Sequence, residues 1–212
     1  MISIKEAVKD IILEDDEILH AFCRKVLNLS AYAKTIQKEV EKRTFKDVGV
    51  QGIVVALSRI QKELGGNNPL FSDIVIDNIS TKSPLSELVF EKDSKVLGNL
   101  STLYKKVDTA GDDFLTMTLS TSEITIICSE RLKDKVLKTL QSEPRMIQDN
   151  LASLGLTFDP KYYELPNVGY SFMRKVAQKR IVLAEVVSTH TEMIFIFHRK
   201  DLPEILGVFS KE

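Results

Sequence analysis

Side chains that could perform chemistry are sparse in this sequence, and their spacing argues against most reactions. Cys23 and Cys128 stand far apart, each on an apolar face. Two buried free thiols are expected, because no second Cys or His lies at metal-ligand spacing and a disulfide is unusual in a reducing compartment. His20, His190 and His198 are scattered, and surface or edge positions are expected for them. The acidic run from Glu14 to Glu17 lacks the alternating oxygen ligands and the glycine of a calcium loop, so capping and solvating a helix is its expected role. Gly65-Gly66 has no Lys-Ser/Thr after it and forms no phosphate loop. No Ser/His/Asp, Cys/His or paired-carboxylate arrangement can be specified. The residues point away from an enzyme, a metal or a cofactor.

Two stretches carry binding chemistry instead. The loop Pro166-Asn167-Val168-Gly169 is stiffened by its proline, and Gly169 stands where a helix must begin with its free N–H groups pointing outward. The second stretch is basic. From Arg24 to Lys62 nine cations face three anions, a surplus of six, although the whole chain carries a formal net charge of −1. Such a surplus suits a phosphate-contacting face, and it equally suits a solvated helical bundle kept soluble by its lysines. If nucleic acid is the partner, Gln51, Arg59 and Gln61 are the side chains placed to reach base edges or phosphates, with Lys42, Arg43 and Lys62 beside them.

The elements that must position these stretches follow from periodicity. Apolar residues at helical spacing run from Ser3 to Leu27, interrupted by the acidic cluster, where Asp15 or Asp16 is the expected cap. Ser30 is the expected N-cap of a helix from Ala31 to about Arg43. A connector through Gly49 breaks it, and a further helix covers Val50 to Leu64. Short helices with a tight turn before the last outline a helix-turn-helix. Gly-Gly-Asn-Asn-Pro, residues 65–69, is the clearest linker, which bounds a helical module at residues 1–69.

After the linker the pattern changes to strands. Residues 73–79 alternate, 80–84 read as a turn, and 86–92 read as a strand. Ser94 is the expected cap of a helix whose stripe includes Val96, Leu103 and Tyr104. Two strands, 114–120 and 123–129, and a helix stopped by Pro144 come next. Residues 145–148 close this first repeat (70–148), with Asp149-Asn150 turning into a second (149–212). There Ala152, Leu154, Leu156 and Phe158 alternate against Ser153, Gly155 and Thr157, the pattern of a sheet covered on one side. A helix from Gly169 to Gln178 with Phe172, Met173 and Val176 inward, strands Ile181 to Val187 and Met193 to Phe197, and a last helix complete it. The second repeat lacks a closing strand. Residues 73–79 either supply it or form a wing against 85–91.

The loop Pro166 to Gly169, the strand IVLAEVVST and the strand MIFIFHRKDL resemble the ACT domain, a ferredoxin-like βαββαβ module that binds amino acids. The tandem is similar to the regulatory region of aspartate kinases. Together with NLSAYAKTIQKEVEKRTFKDVGVQGIVVALSRI, the chain resembles predicted regulators of amino-acid metabolism that contain an ACT domain. The resemblance implies an α+β protein, a helix-turn-helix-like module followed by two βαββαβ repeats. It implies an effector site at Pro166, Asn167, Val168 and Gly169, with backbone groups around Val182, Leu183 and Ala184. It also implies a homodimer. The first repeat departs from the pattern, since Asp93-Ser94-Lys95-Val96 has no Pro-Gly and Asp93 would repel an acidic ligand group. At most one good site per chain is expected from the pair.

At 212 residues one large domain or two to three small ones are available, and 43% hydrophobic content is ample for packed cores. No apolar run approaches the roughly 20 residues needed to span a bilayer, and the N-terminus lacks a signal-peptide layout, so a cytoplasmic protein is expected. The expected role is amino-acid sensing coupled to a DNA-binding module. The alternative is a stand-alone regulatory subunit docking on a biosynthetic enzyme.

Overall fold

The computed structural model describes residues 2–70, 73–107 and 112–210. The chain divides into two compact units, residues 1–72 and 73–212. The first is helical: α1 (Ile4–Leu13), α2 (Asp16–Cys23), α3 (Leu29–Thr44) and α4 (Val50–Leu64). Ser3 and Glu6 form a reciprocal capping box at α1, and Asp15 accepts the Ile18 N–H at 3.0 Å to start α2. The α3 cap is Asn28, which accepts the Ala31 N–H at 3.0 Å, rather than the expected Ser30. Asn and Ser cap equally well. Starting at Asn28 brings Leu29 into the helix, where it packs on the core with Tyr32. The core joins Leu19 and Phe22 of α2 to Ile53, Leu57 and Ile60 of α4, and α4 touches all three other helices.

The second unit contains β1 (Ile76–Glu91), α5 (Ser94–Lys106), β2 (Leu115–Leu119), β3 (Glu123–Ser129), α6 (Lys133–Leu140), β4 (Met146–Phe158), α7 (Val168–Ala177), β5 (Leu183–Ser188), β6 (Glu192–His198) and α8 (Leu202–Phe209). The strands make one antiparallel six-stranded sheet in the order β2-β3-β1-β4-β6-β5. No helix among the described residues is long and apolar enough to cross a membrane.

Four expectations are corrected here. The turn at 80–84 is absent: β1 runs through it for 16 residues, and register shifts around Lys82 and Leu85 absorb Pro84. A proline has no N–H to give a ladder, so it is accommodated where the pairing is already broken. The turn at Asp149-Asn150 is likewise absent, because β4 continues through it with Asn150 at φ 58°. Ser86 donates to the Asp149 carboxylate at 2.7 Å and the Lys133 ammonium lies 2.6 Å from it, which holds these polar residues in a strand. Asp93, not Ser94, caps α5 by accepting the Val96 N–H at 2.7 Å. Tyr104 is 63% exposed rather than part of the inward stripe, and Met173 is also exposed. Of the two roles left open for residues 73–79, pairing with β4 is observed: Ile76 faces Phe158 and Ile79 faces Leu156. These residues belong to the same strand as 85–91 and so cannot form a wing against it.

One face of the sheet carries the helices. Leu88, Phe90, Ile124 and Ile126 pack against Val96, Leu103 and Val136 of α5 and α6. Leu154, Leu156, Phe195 and Phe197 pack against Phe172 and Val176 of α7 and Ile205 and Phe209 of α8. The opposite face, expected to be open, holds a smaller cluster of Leu85, Ile127, Leu151 and Ile196, and Ser153 is buried beside it. A Cβ at Gly155 would lie 2.6 Å from Ser80 Oγ and 2.7 Å from Glu192 Oε1, so both side chains would have to move to admit one.

Glu87 is also on this face, opposite Ile127, and is only 4% exposed. Burial holds its pKa above the ordinary carboxylate value, and repulsion from Glu185 adds to the rise. A carboxyl whose folded pKa is raised binds its proton more tightly in the native state. Its destabilising effect is therefore absent below the unfolded pKa and grows as pH rises through the folded one. Glu87→Gln is expected to raise stability by about 1 kcal/mol at pH 7, roughly 3 °C in Tm, and to leave it unchanged near pH 4. Thermal unfolding of both proteins at the two pH values checks this. A lower Tm for the variant at pH 7 would mean the carboxylate is compensated.

Candidate functional site

The candidate site lies where β4 ends and α7 begins. After Phe158, the Asp159 carboxylate accepts the Lys161 N–H at 2.8 Å and starts a 3-10 turn over Pro160–Tyr162. Tyr162 is buried, and its hydroxyl accepts the Val75 N–H at 3.3 Å. The chain then reaches Asn167, which adopts a left-handed conformation (φ 64°, ψ 20°) and makes no side-chain capping hydrogen bond to α7. The first turn of a helix has no internal acceptors for its N–H groups, and the helix dipole places positive potential there.

In front of that turn is a cavity of about 130 Å³, whose lining includes Phe158, Tyr162, Tyr163, Leu165, Val168 and Gly169. The β5–β6 hairpin closes it with Ser188, Thr189, His190 and Met193. The hairpin is held by Thr189 N–H donating to Glu192 O at 2.9 Å, and Phe158 N–H donates to Thr191 O at 2.9 Å to tie it to β4. The Tyr163 and His190 rings meet with centroids 4.5 Å apart, bridging loop and hairpin. Gly169 leaves the room, since a Cβ there would come within 3.2 Å of Met193 Cε.

The sequence-derived site residues are therefore split. Val168 and Gly169 line the cavity, and Pro166 and Asn167 form the bend before it. Val182, Leu183 and Ala184 do not join them within one chain. They lie at the start of β5, whose far end Ser188 adjoins the cavity, and five residues at about 3.3 Å each separate the two ends by about 17 Å. The equivalent helix start in the first half, at α5, is occupied by its own Asp93 carboxylate. Tyr162, Tyr163, Leu165, His190 and Met193 were missed by sequence reasoning. Their only signal is an aromatic pair just before Pro166, and their meeting with the hairpin is a long-range contact.

In the helical unit, Gln51, Arg59 and Lys62 are exposed along one side of α4 together with Val55. Their spacing of four, four and three residues keeps them within one stripe. Arg43 is bound to both Glu14 oxygens at 2.9 and 2.7 Å and to Glu39 at 2.8 Å. These contacts push its pKa further up and pull those of Glu14 and Glu39 down. The Gln61 amide donates to Phe22 O at 2.8 Å. Lys42 lies 3.9 Å from Glu39, an exposed pair of little consequence. Sequence reasoning missed that Lys34, Lys38 and Lys42 form a ridge along the outer face of α3, which their i, i+4 spacing encodes. Beyond its end, Phe45 sits at φ 55° and is 86% exposed.

Among the described residues no group of three or more His, Cys, Asp or Glu is placed to hold a metal ion. Cys23 and Cys128 are buried; the Cys23 thiol donates to Asn67 O, and burial pushes the Cys128 pKa to about 12.

No family model and no curated protein matches the chain. Solved structures do. The fold is similar to part of the allosteric aspartate kinase of Clostridium acetobutylicum, with a TM-score of 0.52 at 10% identity over 65% of this chain and 35% of that one. It is similar to the ligand-free regulatory subunit of aspartate kinase from Thermus thermophilus, with a TM-score of 0.51 at 7% identity over 63% of this chain and 95% of that one. The chain thus spans about a third of the length of the first and nearly all of the second, and what it shares with them at this identity is the α+β fold of an aspartate kinase regulatory subunit.

Proposed function

We propose that the chain is a non-catalytic regulator in which the sheet unit, an ACT-type tandem, binds an amino acid and the helical unit carries the response to DNA. The observation that carries the sensing half is the start of α7, where Asn167 supplies no side-chain cap and a cavity shaped by loop and hairpin opens. A ligand carboxylate placed there meets N–H groups and the positive end of the helix dipole. The start of α5 is self-capped, which favours one site per chain.

Val182, Leu183 and Ala184 enter the site in a homodimer. Leu183 and Ala184 sit on β5, an edge strand of the sheet, and Val182, just before it, is 80% exposed. An edge strand has unpaired backbone groups, and the β5 start of one copy beside the α7 loop of the other would satisfy both. For the DNA half, the support is the α4 stripe of Gln51, Arg59 and Lys62 and the α3 ridge of lysines. Binding at the sheet unit shifts the DNA affinity by whatever difference the two states of the protein have for the amino acid.

Calorimetric titration with each of the twenty amino acids tests the sensing half, and heat from none of them removes it. Arg59→Glu is expected to weaken DNA retention about tenfold at low salt. Unchanged retention removes α4 from the interface. Phe45 favours a second reading, docking of the helical unit on an amino-acid biosynthetic enzyme, because an exposed phenylalanine suits a protein partner better than a phosphate backbone. Co-purification of an enzyme in place of DNA would establish it.

A further inference from the structure

We infer that the cavity beside α7 selects an α-amino acid with an uncharged, apolar side chain of about four to seven carbons, branched or carrying one ring. This rests on the reading of the cavity as the effector site, and it concerns only what the cavity does with the side chain. The walls decide the matter. Phe158, Tyr162, Tyr163, Leu165 and Met193 present rings, methyl groups and a thioether, Ser188 and Thr189 line the hairpin side, and His190 packs on Tyr163 at a mouth that stays open to solvent.

No Asp, Glu, Lys or Arg lines this cavity. A lysine ammonium or an aspartate carboxylate carried into it would lose water without gaining a countercharge, which costs far more than the burial of its methylenes returns. Size agrees with the chemistry. A cavity of about 150 Å³ with apolar walls accepts a benzene ring in a well-studied engineered case. The 130 Å³ available here is of that order, enough for the side chain of leucine or phenylalanine and much larger than that of alanine. The ion pair of Lys161 with Asp159 at 3.4 Å belongs to the 3-10 turn, and neither residue is among those lining the cavity.

The experiment is calorimetric titration of the full chain with leucine, phenylalanine, alanine, lysine and aspartate in turn. Each buried methylene contributes about a fourfold gain in affinity, so leucine is expected to bind on the order of 50-fold more tightly than alanine. Lysine and aspartate are expected to bind at least about 100-fold more weakly than leucine. Lysine or aspartate binding as tightly as leucine overturns the inference and leaves the effector site standing. Binding of none of the five, together with none of the remaining amino acids, removes the site and the inference with it.

A second arm uses Tyr163→Glu, a change at a side chain 65% exposed, which leaves the fold intact. A carboxylate at the mouth is expected to narrow the leucine-to-lysine affinity ratio at least about tenfold. A ratio unchanged in a variant of unchanged Tm places the side chain elsewhere and overturns the inference.

Discussion

Phe195→Ala is expected to cost the sheet unit about 4 kcal/mol. Phe195 is fully buried at the middle of β6, paired in register with Leu154 on β4 and Val186 on β5. Its ring stacks on Phe209 of α8 with centroids 6.2 Å apart, and Phe209 in turn meets Phe172 of α7 edge-on. The ring therefore joins both helices of the second half to the sheet. Its removal takes away the transfer free energy of a phenyl group and leaves a void that the paired strands cannot collapse to fill. A typical domain has only about 5–15 kcal/mol in total, so the variant should unfold at a much lower urea midpoint. The denaturant slope should stay constant, which distinguishes lost stability from a changed denatured state. Phe195→Leu, which keeps most of the volume, should lose only about 1 kcal/mol. A loss below 1 kcal/mol for the alanine variant would show that α7 and α8 move in to fill the space, contrary to a rigid aromatic core.

The same residues show what could be read without a structure. The alternation Ala152, Leu154, Leu156, Phe158 and the β-branched run of β6 identify the core face, because period-two burial is a local property of the chain. Helical stripes in α1, α4 and α7 were legible for the corresponding reason. Failures occur where a distant partner overrides a local preference. Ser80 to Pro84 reads as a turn, yet Ser80, Thr81 and Lys82 pair with β4, and pairing with both β4 and β3 resumes at Leu85, which keeps β1 extended through it. Asp149-Asn150 reads as a turn, yet Ser86 and Lys133 hold the aspartate in β4. Arg43 counts among the surplus cations until Glu14, at the C-terminal end of α1, is found bound to it. At the candidate site, the loop from Pro166 to Gly169 is visible in the sequence as a stiff bend before a helix. The aromatic walls are not, since Tyr163 meets His190 across the β5–β6 hairpin and no local pattern links them.

Reversing Lys34, Lys38 and Lys42 together to glutamate is expected to reduce DNA affinity on the order of a thousandfold at about 0.1 M salt, far more than Arg59→Glu alone. Three lysines at i, i+4 spacing repel one another by a few tenths of a kcal/mol per pair, and three glutamates repel by similar amounts. The variant should therefore keep its Tm and its amino-acid binding, so lost retention reports on the interface and not on folding. Each phosphate contact removed lowers the slope of log affinity against log salt by about 0.9, so the slope should become shallower by about 3. A variant that loses affinity without changing the slope would place the lysines outside the phosphate contacts. If only Arg59→Glu weakens retention, α4 is the contact helix and the α3 ridge is solvated. If neither set of substitutions alters it, DNA is not the partner, and the exposed Phe45 at the end of that ridge makes an enzyme surface the remaining destination for the helical unit.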